Sequence, residues 1–64
     1  MKIEIRSDCT YIHTLYVNGL PTVQRESLTV CANIKHALEH PELWEPTECY
    51  QVADSIREHL GVAQ

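Results

Sequence analysis

The dipeptide Asn18-Gly19, set between Val17 and Leu20, limits what this chain can fold into more than any other feature. Both residues tolerate positive φ, and a two-residue loop of this kind forms a type I′ turn joining antiparallel strands. The loop length dictates a register: Val17 faces Leu20, Tyr16 faces Pro21, Leu15 faces Thr22 and Thr14 faces Val23. Tyr16–Pro21 is then a non-hydrogen-bonded pair, so the missing Pro21 N–H points away from the second strand. Proline is tolerated there only if no further strand pairs on that side. The third strand is an edge, and the sheet order is 1-2-3.

The rest of the first 26 residues completes a β-meander. Lys2 to Arg6 alternates charge with isoleucine, the period-2 pattern of a half-buried strand. Ser7-Asp8 reads as a turn, and Thr10 to Val17 is rich in β-branched and aromatic residues that suit a pleated surface. Tyr11, Leu15, Val17 and Leu20 fall on one face, and Ile12, Tyr16 and Val23 on the other. The first set is expected to be the buried one.

Two helices follow. Ser27 can cap the first, its hydroxyl accepting an orphan N–H. From Leu28 to Glu39, Val30, Cys31, Ile34, Ala37 and Leu38 fall on one arc, opposite Thr29, Asn33, His36, Glu39 and His40. Pro41 stops this helix, because the residue before a proline is pushed out of the α region. After a linker holding Leu43 and Trp44, Pro46 suits the first turn of a second helix. Its stripe is Cys49, Val52, Ala53, Ile56 and Leu60, with Gln51, Asp54, Ser55 and Glu58 outward and Gly61 just past the end. The expected fold is α+β: a three-stranded antiparallel meander followed by two amphipathic helices packed on one face, βββαα, with residues 1–64 as a single domain.

At 64 residues the core is modest. A chain of this size hides only about 60% of the surface its unfolded form exposes, and small scaffolds usually need a staple or an oligomer contact. The three cysteines, Cys9, Cys31 and Cys49, are odd in number and contain no CxxC pair, so reduced thiols are expected. Nothing at the N-terminus resembles the apolar core of a signal peptide, and no stretch approaches the ~18 apolar residues of a membrane span. A cytoplasmic protein is the expectation.

Few chemistries fit. His36 and His40 are four apart and could share a metal, but a stable site wants three or four ligands, and the HExxH context is missing. Cys31 and Cys49 fall in apolar stripes, where a thiol is inert; Cys9 is the exposed one. With only Gly19 and Gly61 there is no phosphate-cradling loop. The expectation is no enzyme, no cofactor and no metal. Direct nucleic-acid binding leans on Lys and Arg, and the helices carry only Lys35 and Arg57.

Charge is the more informative feature. The net charge is −4, but residues 1–35 sum to +1 and residues 36–64 to −5. Glu39, Glu42, Glu45 and Glu48 recur every third residue across the linker, Asp54 and Glu58 add to them, and Trp44 sits in their midst. Acids near a helix N-terminus can simply complement its dipole, and Trp44 can plug the core under the linker. Together they compose a candidate partner-binding patch, steered to a basic surface by long-range attraction, with the tryptophan as anchor.

A hairpin ending Tyr16-Val17-Asn18-Gly19, a Ser27-capped amphipathic helix and a second helix resemble small phage-encoded proteins. Size and acidity resemble the small anti-CRISPR proteins among them. That resemblance implies a monomeric inhibitor in the host cytoplasm that occupies the nucleic-acid-binding surface of a type I CRISPR effector complex. It is a likeness of architecture and charge, and it transfers no residue role. The alternatives are a self-associating assembly protein, using the third strand or the sheet face with Ile12, Tyr16 and Val23, and a metal binder using His36 and His40.

Overall fold

Asn18 adopts φ 54° and Gly19 φ 84°, so the chain reverses where the Asn-Gly pair requires it. The computed structural model describes residues 2–60. Around that turn lie β1 (Ile3–Cys9), β2 (Ile12–Val17) and β3 (Leu20–Arg25), antiparallel in the order β1-β2-β3. Helix α1 (Leu28–Glu39), a 3₁₀ turn (Pro41–Leu43) and helix α2 (Glu48–Leu60) follow. This is the βββαα arrangement expected. Gly61, the expected residue past the second helix, lies outside the described residues.

Two strand details differ from the sequence reading, and both are bulges. Val17–Leu20 and Tyr16–Pro21 pair as expected, but the register then shifts, and Leu15 pairs with Val23 and Thr14 with Gln24. Thr22 is the extra residue, and its hydroxyl donates to the Leu15 carbonyl at 3.0 Å. The shift carries Val23 onto the face of Leu15 and Val17, and all three are buried. The expected division of faces is corrected accordingly: Leu15, Val17 and Val23 point to the core, whereas Tyr11 is 75% and Leu20 57% exposed. The second bulge lies between Ser7 and Cys9, so Ser7-Asp8 is not the turn. The strand continues through it, Ser7 Oγ lies 2.6 Å from His13 Nδ1, and the chain reverses at Thr10-Tyr11.

The first helix forms as its pattern dictates. Ser27 is extended at φ −102° and ψ 122°, and its side chain accepts from the Val30 N–H at 3.3 Å. Cys31, Ile34, Ala37 and Leu38 are buried. Helix α2 starts at Glu48 rather than Pro46, because the Thr47 N–H is spent on the Glu45 carbonyl while the Thr47 carbonyl receives the Gln51 N–H. Pro46 stands in the bend before it.

Helix α1 touches all three strands, and α2 packs mainly against α1. The core joins Leu15, Val17 and Val23 of the sheet to Ile34, Ala37 and Leu38 of α1 and Tyr50, Ala53 and Ile56 of α2. The other sheet face is polar. Arg6 lies 4.6 Å over the Tyr16 ring, and Gln24 donates to the Thr14 hydroxyl. No helix among the described residues is long and apolar enough to cross a membrane.

Gly19→Ala would meet nothing within 4 Å, so its cost is backbone strain alone, about 1–2 kcal/mol. Leu15→Ala, at a fully buried site, should cost more, about 2–5 kcal/mol. Urea titrations followed by circular dichroism measure both; equal losses would contradict this account of the turn.

Candidate functional site

The acidic half of the chain is organised by its one arginine. In a helix each carbonyl accepts from the N–H four residues on. For Ala37 that residue is Pro41, which has no N–H to give. Arg57 supplies the missing donor. Its Nη2 donates to the Ala37 carbonyl at 2.7 Å and the Leu38 carbonyl at 3.1 Å, and its Nη1 to Asp54 Oδ1 at 2.9 Å. Asp54 Oδ2 in turn accepts from Trp44 Nε1 at 2.9 Å. One guanidinium therefore ties α2 to the end of α1 and, through Asp54, holds the linker. Arg57 is only 4% exposed.

Of the sequence-predicted residues, only Trp44 and Asp54 are brought into direct contact. Trp44 does not plug the core; it is 50% exposed, with its N–H anchored and part of its ring at the surface. Glu42 turns back to His40, whose Nδ1 lies 3.2 Å from Glu42 Oε1. Its own backbone N–H, and then His40, hold the Glu42 carboxyl below the usual 4.5. Glu39, Glu45, Glu48 and Glu58 are exposed, and none is ion-paired among the described residues. Elsewhere Lys2 and Arg6 pair with Glu4 and Arg25 donates to the Gln24 carbonyl, while Lys35 stands one turn before Glu39 on α1 without an ion pair among the described residues.

The glutamates do not all share one side. Glu48 stands on a groove of about 830 Å³ between β3 and α2, with an apolar lining that includes Leu20, Val23, Val52 and Ile56. Glu45 borders a separate hollow of about 470 Å³ with Asn33 and His36 of α1 and Cys49 and Tyr50 of α2. Asp54 and Glu58 are one turn apart on α2, and at about 100° per residue Glu48 lies roughly 120° around the helix from Asp54. The acids form a belt around the helical half rather than one flat patch.

No family model, curated protein or solved structure matches this chain.

Other candidate chemistry is sparse. The His36 and His40 rings are 4.7 Å apart, but no group of three metal-ligating side chains exists among the described residues. Cys9 is exposed, Cys49 intermediate and Cys31 buried, all as free thiols. Burial pushes the Cys31 thiol above its ordinary 9.0, against weaker opposing effects from Arg25. The sequence reading missed Tyr50 and Arg57, both buried in α2. Pro41 carried part of the signal for Arg57: it leaves the Ala37 carbonyl without its helical donor, a gap that water, a tightened turn or a side chain can fill.

Arg57→Met should destabilise the protein by about 2–4 kcal/mol, since two carbonyls lose a buried donor. Arg57→Lys should recover part of that, because an ammonium cannot reproduce the planar fork. Trp44 is the one tryptophan, so its fluorescence in urea titrations reads both stability and release of the linker. A loss below 0.5 kcal/mol in the methionine variant, an order-of-magnitude bound for surface changes at roughly this level, would refute the role.

The thiols give a second check. With an aromatic disulfide reagent, Cys9 should react first and Cys31 only on unfolding. A raised folded-state value means that Cys31 contributes stability below 9.0 that is lost as pH climbs through that raised value. Urea midpoints should therefore fall faster above pH 9.0 for the parent than for Cys31→Ala.

Proposed function

We infer that this protein is a non-enzymatic inhibitor that uses its acidic helical half to occupy a basic, nucleic-acid-binding surface of a partner protein. One observation carries the reading. The only Lys or Arg of residues 36–64 is turned inward and consumed by Asp54 and two carbonyls, and Glu39, Glu45, Glu48 and Glu58 stay exposed with no ion pair among the described residues. Such a surface attracts a basic partner over several ångströms and orients it before contact. The half-exposed Trp44, fixed by Asp54 and set within the belt, supplies the amphipathic ring on which such contacts concentrate.

The likeness in size and charge to small anti-CRISPR proteins makes a type I CRISPR effector complex the first partner to test. Within the belt, Asp54 has a structural duty toward Trp44 and Arg57. The residues to alter are therefore Glu39, Glu45, Glu48 and Glu58, with Trp44 as anchor and Glu42 beside it.

The test is binding to a purified type I complex, with and without competing duplex DNA, over a range of salt. Affinity should fall steeply between 50 and 300 mM salt, on the order of tenfold or more, as screening shortens the reach of the charges. Duplex DNA should compete. Joint Glu45→Lys and Glu48→Lys should weaken binding by a further tenfold or about that. Absence of binding, or salt-independent binding that the double variant leaves intact, would end this reading.

A further inference from the structure

We propose that the β1 edge is a self-association surface, where a second copy of this chain adds its own β1 antiparallel with Ile5 opposite Ile5. Two three-stranded sheets would thereby become one.

The argument starts from which backbone groups face outward. The Asn18 N–H donates to the Lys2 carbonyl at 2.7 Å, and the Lys2 N–H to Asn18 Oδ1 at 3.0 Å, so Lys2 turns both its groups toward β2. In an antiparallel ladder that orientation alternates along the strand. Glu4 and Arg6, opposite Tyr16 and Thr14, therefore face β2 as well. Ile3, Ile5 and Ser7 present their N–H and C=O groups to the open edge. The other edge offers no such row. Pro21 falls where β3 should turn an N–H outward, and the Thr22 bulge follows at once. An open edge without proline is a template for another strand, and β1 is the edge of that kind here.

Side chains then choose the register. With Ile5 opposite Ile5, the two isoleucines form a hydrogen-bonded pair, as their outward groups require. Glu4 falls opposite Arg6 of the second copy, twice by symmetry, in the non-hydrogen-bonded positions where side chains come closest. Sliding so that Ile3 meets Ile5 would put Glu4 against Glu4 and Lys2 against Arg6. Sliding the other way would put Arg6 against Arg6. Like charges directly opposed are destabilising, so both slips are penalised. Placing Ile3 against Ile3 matches Lys2 with Glu4 but shortens the ladder. The bulge after Ser7 ends the regular strand, leaving Ile3–Ser7 as the pairing segment.

The pairing also serves the core. Ile3 and Ile5 are partly buried and packed against it, with one flank open. In a domain this small, an added strand covers apolar surface that the chain cannot cover alone. The contact lies at the opposite edge of the sheet from β3 and its groove, so it holds or fails independently of the inhibitor reading.

The experiment is sedimentation equilibrium of the full chain from about 10 µM to about 1 mM, the range suited to a small edge contact. Mass should rise from one copy toward two across this range. Glu4→Arg alone should weaken dimerisation tenfold or more, and Glu4→Arg with Arg6→Glu should restore it, since that exchange preserves the cross-strand pair. The exchange would not restore a pairing of Ile3 with Ile3, where Lys2 would then meet arginine. In a mixed sample of isotope-labelled and unlabelled parent protein, an intermolecular contact between the Glu4 and Arg6 α-protons should be seen, with no variant needed. A mass of one copy throughout, or a dimer lacking that contact, would overturn the proposal.

Discussion

Helix α1 ends at a proline, and the helical half is arranged around the consequence. Pro41 leaves the Ala37 carbonyl without its usual donor in a place too buried for water to serve, and Arg57 fills the vacancy from α2. Burying a guanidinium carries a desolvation cost of several kcal/mol unless its donors are used. Two carbonyls and the Asp54 carboxylate use them. The same contact orients α2 against α1, and through Asp54 it fixes Trp44. The linker that bears Glu42 and Glu45 is thus given one path by a residue lying beyond it in the chain.

The parts legible in the sequence were those governed by local chemistry. Asn18-Gly19 needs positive φ, Ser27 needs an orphan N–H to cap, and Pro41 cannot continue a helix. Each is decided within a few residues, so the elements could be read almost to their ends. The bulge at Thr22 could not. It depends on whether Val23 is wanted under α1, and that becomes true only when the sheet meets the helix. Period-2 reasoning carried across one inserted residue assigns every later side chain to the wrong face, which is how Val23 was expected outside.

The acidic belt was legible as composition but not as geometry. An arginine in α2 among Asp54 and Glu58 reads as a solvated base that softens the charge of that face. Inward rotation changes its meaning: the guanidinium still pairs with Asp54 but makes no ion pair with Glu58. The spacing of Glu39, Glu42, Glu45 and Glu48 also implied one run, but the linker turns between them. Glu45 and Glu48 therefore border different depressions.

Helix electrostatics sort the belt further. Glu48, in the first turn of α2, meets the positive end of the helix dipole and needs no other explanation. Glu39 closes α1 and Glu58 lies in the last turn of α2, where a carboxylate opposes the dipole. The basic residues of those turns are His36 for α1, and Arg57 and His59 for α2. Each misplaced acid costs a few tenths of a kcal/mol, on the order of 0.3–1, in a domain with little stability to spare. Glu45 has no dipole argument in either direction. Folding therefore accounts for Glu48 and, through the linker, for Asp54, but it works against Glu39 and Glu58. Those two carry the part of the charge that the fold does not itself require.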